Sequence, residues 1–166
     1  MDSQQLEKAI HSDPCLSTLR HKEVLAADEL SLIKSPGAYI VNTDPSHLPG
    51  QHWIAIFVSA NGSMEIFDPL GYPPRHYPFL KTYLRGKNFT HNTKRWQLSG
   101  TSTCGQHCLF YLYHRCRGWT LSQLNNFYWH SDLSQNERLV LIFVEHYFSI
   151  PCLCKWKRYQ CARLCE

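Results

Sequence analysis

Three residue types that support nucleophilic catalysis by a thiol occur in order along this sequence. His52 opens an apolar run, Asp68 ends a second run in FDPLG, and Cys104 stands in QLSGTSTCGQHCLFY, where a small, polar stretch meets an apolar one. A cysteine attacks as the thiolate, so its pKa must fall below the free value of about 8.5. An imidazolium beside the sulfur lowers that pKa, and a carboxylate on the far side of the imidazole fixes its tautomer. His52, Asp68 and Cys104 could fill these three roles.

The surroundings of Cys104 suit this chemistry but have ordinary explanations too. The N-terminus of a helix offers unpaired N–H groups and a partial positive charge. The backbone N–H of Cys104 and the side-chain amide of Gln97 are candidates to hold a developing oxyanion. A cysteine that begins an apolar helix is, however, usually a small core residue. An aspartate before Pro-Leu-Gly commonly forms a turn. Residue types and spacing alone leave both interpretations open.

The elements that would position these residues follow from the hydrophobic pattern. Two apolar runs on either side of Asn61-Gly62 predict a β-hairpin, and the first is apolar on both faces, which is typical of a central strand. Strands are predicted over 38–43, 52–60, 63–71 and 93–99. Helices are predicted over 3–10, 27–34, 77–86, 104–117, 121–129 and 134–148, the last with Ser134 and Glu137 at capping-box spacing. The pattern predicts an α+β fold, with a central mixed β-sheet flanked by helices and Cys104 at the N-terminus of a core helix.

The turn of this hairpin decides whether Asp68 can reach His52. A two-residue turn pairs Ala60 with Ser63 and places Asp68 on the opposite face of the sheet from His52. A three-residue loop with a bulge pairs Ala60 with Met64 and places Asp68 on the same face. We therefore predict a bulged or irregular hairpin.

Composition sets the broad class of protein. With 166 residues, 43% hydrophobic and 18% charged, the chain should form one folded domain. It contains no run of the roughly 18 apolar residues that span a bilayer, so we expect no membrane contact. The start, MDSQQLEKAIHSD, resembles neither a secretory signal nor a transit peptide, which predicts an intracellular protein. We therefore expect the eight cysteines to be reduced, catalytic or metal-bound.

Two cysteine-rich stretches could serve other purposes. Cys104, His107 and Cys108 lack the Cys-x₂-Cys spacing of zinc sites, so we predict no metal there and ordinary helix positions for the last two. We treat 151–166 as a basic tail appended to a domain over 1–150. Its basic and aromatic residues suit nucleic-acid contact, or a solvated extension. Its four cysteines could bind metal, cross-link or do neither: Cys152, Cys154, Cys161 and Cys165.

As an ordered set, these motifs resemble the adenovirus-type maturation proteases and, more distantly, the SUMO-specific isopeptidases of the same cysteine-protease clan. The shared features are YIVNT, a His-Trp pair, FDPLG, and a Gln seven residues before a Cys-Gly pair, and they cover most of 1–150. The resemblance implies these roles: His52 as general base, Asp68 as its orienting acid, Cys104 as nucleophile, Gln97 as oxyanion donor, and Trp53 as an aromatic lid over a narrow groove that favours glycine.

The resemblance also implies a function. It predicts a cysteine endopeptidase that cleaves precursor proteins of a virus or virus-like element at small or Gly-containing sites during capsid maturation. The implied setting is the host nucleus and the virion. The chemistry requires no cofactor, although DNA and a released peptide activate the adenovirus enzyme. Two alternatives stay open: a deubiquitinase- or deSUMOylase-like isopeptidase acting on Gly-Gly tails, and a non-catalytic binding module of the same fold.

Overall fold

A five-stranded mixed sheet forms the centre of the computed structural model, which describes residues 1–149. The strands lie side by side in chain order: β1 (His21–Leu25), β2 (Gly37–Asn42), β3 (Trp53–Val58), β4 (Met64–Phe67) and β5 (Phe89–His91). The two outer pairs are parallel, and the two inner pairs are antiparallel. The predicted α+β fold with a mixed sheet is therefore confirmed.

Five helices cover the two faces of this sheet in the described part of the chain. They are α1 (Ser3–Ser12), α2 (Pro78–Tyr83), α3 (Cys104–Cys116), α4 (Leu121–Phe127) and α5 (Leu133–Phe148). Apolar residues of α1, α3, α4 and α5 form one core with the first face of the sheet. Residues of α2 and of a short 3₁₀ turn over Leu30–Leu32 form a second core on the other face. None of these helices is long and apolar enough to cross a membrane.

Strand β3 lies in the middle of the sheet and contributes to both cores. Trp53 and Ala55 belong to the core under α3, and Ile54, Ile56 and Val58 belong to the core under α2. All five of these side chains are buried. The prediction of a central strand covered on both faces is confirmed.

The hairpin that joins β3 to β4 has a three-residue loop. The N–H of Ser59 donates to the carbonyl of Ser63 at 3.0 Å, so residues 60–62 form the loop. Gly62 occupies the left-handed region at φ +81°, which glycine adopts without strain. The side chain of Asn61 accepts hydrogen bonds from the backbone and the hydroxyl of Ser63. The side chains of Asn61 and Ser63 thus help to close this three-residue loop, which differs from a two-residue Asn-Gly turn.

This loop sets the register that brings the acid towards the histidine. Val58 pairs with Met64, so the expected pairing of Ala60 with Met64 is wrong by two residues. The side-chain parity is nevertheless the predicted one. Continuing the register places Asp68 on the His52 face, opposite a position only two residues beyond His52. The irregular hairpin is confirmed.

Some predicted elements differ from those observed. No strand forms over 93–99, because the N–H groups of Trp96 and Gln97 both donate to the carbonyl of Pro69 at 2.9 Å instead of joining a ladder. The edge strands β1 and β5 were not predicted, and the helix expected over 27–34 is only the 3₁₀ turn. Helix α5 is capped by the side chain of Asp132, not by Ser134.

The N-terminal segment is linked to the C-terminal end of α3, opposite the end that carries Cys104. A disulfide joins Cys15 to Cys116, so the expectation of reduced, catalytic or metal-bound cysteines is wrong for this pair. Arg117 also donates to both carboxylate oxygens of Asp13, at 2.9 and 3.2 Å. The two partners of the disulfide are 101 residues apart, a separation that gives no local signal in the sequence. The predicted tail over 151–166, with Cys152, Cys154, Cys161 and Cys165, lies outside the described residues.

Candidate active site

His52 and Asp68 meet at the ends of neighbouring strands. His52 directly precedes β3. Its carbonyl accepts a hydrogen bond from the backbone N–H of Thr43, which directly follows β2. Its ring Nε2 lies 2.9 Å from Oδ1 of Asp68, which directly follows β4. The side chains are 12% and 2% exposed, so this pair is largely shielded from water. The hydrogen bond to Nε2 leaves Nδ1 as the ring nitrogen for another partner.

The carboxylate of Asp68 is held by donors on both oxygens. The N–H of Leu70 donates to Oδ1 at 2.8 Å, and the hydroxyl of Tyr77 donates to Oδ2 at 2.7 Å. The side chain of Asn92 accepts from the backbone N–H of Asp68 and donates to its carbonyl. The acid therefore has one orientation, directed at His52.

Tyr77 and Asn92 were not identified from the sequence. Burial and the adjacent Asp68 charge raise the pKa of Tyr77, so its hydroxyl stays a donor. Its ring also lies parallel to that of His52, with centroids 6.4 Å apart. Neither residue has a motif spacing relative to His52 or Asp68. Tyr77 contacts the acid from the start of α2, and Asn92 contacts it from the end of β5.

Cys104 is the first residue of α3 and lies next to His52. It is 8% exposed, and its thiol interacts electrostatically with the His52 ring. The residue before the helix, Thr103, makes no side-chain cap, so the first N–H groups remain directed at the Cys104 end. Burial raises the pKa of the thiol. His52, together with backbone hydrogen bonds from Trp53 and Gly105, outweighs burial and lowers that pKa below its ordinary value.

The pKa of His52 is shifted upward, which complements the downward shift in the pKa of the Cys104 thiol. Burial lowers the pKa of the imidazole, but hydrogen bonds and charge from Asp68 and Cys104 raise it more, to about 9. The carboxylate on one side and the sulfur on the other thus both favour the protonated ring. This arrangement stabilises an imidazolium–thiolate pair near neutral pH.

Gln97 lies in the loop that leads into α3, seven residues before Cys104. It is buried, and its Nε2 donates to the carbonyl of Thr101 at 2.7 Å and to the Thr101 hydroxyl at 3.3 Å. Its Oε1 has no hydrogen-bond partner among residues 1–149. The Gln97 amide nitrogen is therefore directed at Thr101, and the oxyanion role of Gln97 stays a prediction.

Trp53 is the first residue of β3 and is buried against α3 in the same core as Cys104. Its contribution to the observed site comes from its backbone, which helps to lower the pKa of the Cys104 thiol and accepts a hydrogen bond from Cys108 at 3.4 Å. The expected role of its indole as a lid over a substrate groove stays a prediction.

His107 and Cys108 are helix positions buried behind Cys104. The Nδ1 of His107 lies 3.0 Å from the carbonyl of Thr103. Burial raises the pKa of the Cys108 thiol well above its ordinary value, which disfavours a thiolate there. Among residues 1–149, no three His, Cys, Asp or Glu side chains are grouped so that they could hold a metal ion.

Comparison with known proteins finds similarity among solved structures. No protein-family model matches this sequence, and no curated protein matches it. The ASFV pS273R protease has 29% identity and a TM-score of 0.40, over 61% of this chain and 42% of its own. ChlaDub1 from Chlamydia trachomatis has 18% identity and a TM-score of 0.45, over 62% of this chain and 51% of its own.

A third solved structure matches over nearly its whole length. The central domain of the uncharacterized Lpg1148 protein from Legionella pneumophila has 13% identity and a TM-score of 0.55, over 90% of this chain and 96% of its own. This similarity shows a shared fold. This chain spans about half or less of the first two structures, 42% and 51%.

Proposed function

We propose that this protein is a cysteine peptidase with Cys104 as its nucleophile. The observation that carries the proposal is a single imidazole, that of His52, which is hydrogen-bonded to a buried carboxylate and lowers the pKa of a thiol at a helix N-terminus. A core cysteine needs no such partners. Cys108, one turn further along the same helix, has none of them and its thiol pKa is raised, not lowered.

The reaction that this geometry supports is acyl transfer in two steps. In the first, the Cys104 thiolate bonds to the carbonyl carbon of the substrate, the C–N bond breaks, and the His52 imidazolium gives its proton to the leaving amine. In the second, neutral His52 takes a proton from water, the resulting hydroxide attacks the thioester, and Cys104 leaves as the thiolate. Asp68 keeps the ring oriented and stabilises its charge throughout.

The oxyanion of each step needs donors placed before the reaction. The backbone N–H of Cys104 is one, and the side-chain amide of Gln97 is the second that we propose. One hydrogen of the Gln97 amide must then turn from Thr101 towards the substrate oxygen when substrate binds. Gln97 is positioned for this by its own backbone N–H, which is bound to the carbonyl of Pro69 in the turn after Asp68.

The substrates that we propose have small residues, glycine above all, before the scissile bond. This specificity rests on the ordered resemblance to adenovirus-type proteases and on Trp53 at the site. Cleavage of viral or virus-like precursor proteins during capsid maturation, in the host nucleus and virion, is the proposed biological role. DNA and a peptide are the activators to test. The alternative is an isopeptidase that acts on Gly-Gly tails.

A substrate panel tests the function. The wild-type protein is incubated with Gly-containing capsid-type peptides, and separately with a ubiquitin-like precursor that ends its mature sequence in Gly-Gly. Cleavage of the peptides is the expected result, and it should disappear in Cys104→Ala and His52→Ala. Cys108→Ala is the matched control, because it removes a buried thiol from the same helix and should keep activity. Cleavage of the precursor alone favours the isopeptidase, and cleavage of neither substrate contradicts the peptidase proposal.

A further inference from the structure

Two buried titratable side chains behind Cys104, His107 and Glu137, have no part in the mechanism described above. We propose that His107 and Glu137 are positioning residues that hold the loop over residues 97–103 in the shape that oxyanion stabilisation needs. This proposal rests on the proposed peptidase function, because it assigns a role within that reaction.

Glu137 holds the beginning of this loop. It lies on the first turns of α5, and its side chain is only 9% exposed. The sequence suggests that Glu137 caps its own helix together with Ser134, but Asp132 is the cap, which leaves Glu137 free to point into the core. Its Oε2 accepts a hydrogen bond from the backbone N–H of Leu98 at 3.2 Å. Leu98 directly follows Gln97, so this bond fixes the backbone next to the proposed oxyanion donor.

His107 holds the end of the same loop. Its ring is fully buried, and Nδ1 donates to the carbonyl of Thr103, the residue before Cys104, at 3.0 Å. Its Nε2 lies 3.9 Å from Oε2 of Glu137, so the two side chains face each other across the base of the loop. Burial lowers the pKa of the ring more strongly than Glu137 and the backbone raise it, which favours the neutral imidazole with its proton on Nδ1.

The polar atoms in this region are more numerous than packing requires. His107, Glu137 and Gln97 are three polar side chains buried together behind Cys104. Burying polar groups is unfavourable unless every hydrogen bond is made, so apolar side chains would give a more stable core. Glu137 and His107 nonetheless form hydrogen bonds to the backbone of Leu98 and of Thr103, at the two ends of the loop that leads from Gln97 into α3. Loop shape, and not core stability, is therefore the property that they serve.

A pair of substitutions at Glu137 tests the proposal. Glu137→Leu fills similar volume but leaves the Leu98 N–H without an acceptor. Glu137→Gln keeps, through its amide oxygen, an acceptor for that N–H and removes only the charge. The assay follows hydrolysis of a coumarin-linked peptide ending in Gly-Gly, together with alkylation of Cys104 by iodoacetamide, which passes through no oxyanion. We expect kcat to fall roughly 10- to 100-fold in Glu137→Leu, to stay within about threefold in Glu137→Gln, and alkylation to stay within about threefold in both.

A variant of the neighbouring residue separates positioning from stability. Asn136 is also buried on α5, but it holds the backbone of His130, outside the 97–103 loop. Asn136→Ala should lower the thermal midpoint without a selective loss of kcat. If Glu137→Leu does not fold, amide exchange decides. The Leu98 amide should be protected at least ~100-fold in the wild type and in Glu137→Gln, and an unprotected Leu98 amide overturns the proposal.

The remaining outcomes are equally decisive. Unchanged kcat in Glu137→Leu, an equal loss of kcat and alkylation in that variant, or a loss in Glu137→Gln as large as in Glu137→Leu each overturns the positioning role. Failure of the proposed function looks different, because then the wild-type protein itself hydrolyses no peptide.

Discussion

The substitution Asp68→Asn removes one charge from the site and leaves its shape nearly unchanged. The hydrogen bond to Asp68 makes the largest contribution that raises the pKa of His52, and the negative charge of Asp68 raises this pKa further. The ordinary pKa of histidine is about 6.5, and the folded protein raises it to about 9. That difference corresponds to about 3 kcal/mol in favour of the protonated ring, at 1.36 kcal/mol for each pKa unit. An asparagine can still accept a hydrogen bond from the ring. Without the Asp68 charge, however, the charge of Cys104 alone opposes the lowering of the His52 pKa by burial.

The sign of the effect follows from these values. The raised pKa changes the protonated fraction mainly between about pH 6.5 and about pH 9, because the ring is protonated with either pKa below this window and with neither above it. At pH 8 about 90% of the rings carry a proton when the pKa is about 9, but only about 3% when it is about 6.5. Protonated His52 is the proposed acid for the leaving amine, so the rate at pH 8 should fall about 30-fold in Asp68→Asn.

The assay is the pH dependence of peptide hydrolysis from pH 5 to 10. We expect the alkaline limb near pH 9 in the wild type and near pH 7 or below in Asp68→Asn. Glu65→Gln is the matched control, because it removes the same charge from β4 where Glu65 binds Arg115 and Tyr111, away from the site. An alkaline limb that stays near pH 9 in Asp68→Asn would refute the role of Asp68 in setting the His52 pKa.

Three further substitutions test other parts of the account. Tyr77→Phe removes the donor to Oδ2 of Asp68, so denaturant unfolding should show a loss of about 1–3 kcal/mol and kcat should fall; unchanged values would show that the bond is dispensable. Gln97→Ala should lower kcat roughly 10²-fold with alkylation of the thiol unchanged, whereas an unchanged kcat would exclude Gln97 from the oxyanion site. Cys116→Ser removes the disulfide to Cys15 and should lower the free energy of unfolding by about 2–5 kcal/mol in guanidinium titration; an unchanged midpoint would mean that this bond does not stabilise the fold.

Local pattern was sufficient to predict the parts of the fold that place the candidate nucleophile and base. The apolar runs around Asn61-Gly62 predict β3 and β4, and the change from small polar residues to an apolar run predicts that a helix begins at Cys104. The parity argument about the turn also anticipated the face on which Asp68 lies. These features are encoded by neighbouring residues, which is why one sequence was enough.

Contacts between distant segments could not be predicted in this way. Tyr77, Asn92 and Glu137 act through partners 9, 24 and 39 residues away, and the disulfide joins residues 101 apart. Glu137 is the clearest example, because its spacing from Ser134 suggests a capping box. The carboxylate of Asp132 takes the cap, and tertiary packing decides the use of Glu137. The edge strands β1 and β5 lack a strong apolar alternation. They form because β2 and β4 provide backbone partners for hydrogen bonding along their outer edges.

Covalent labelling measures the central claim, that His52 activates Cys104, most directly. The protein is treated at pH 7 with a peptidyl chloromethyl ketone that ends in glycine, and every cysteine peptide is quantified by mass spectrometry. Activation of Cys104 by His52 predicts one adduct, on Cys104, that is lost in His52→Ala and retained in Cys108→Ala. Labelling spread evenly over the cysteines, or labelling of Cys104 that His52→Ala leaves unchanged, would contradict it.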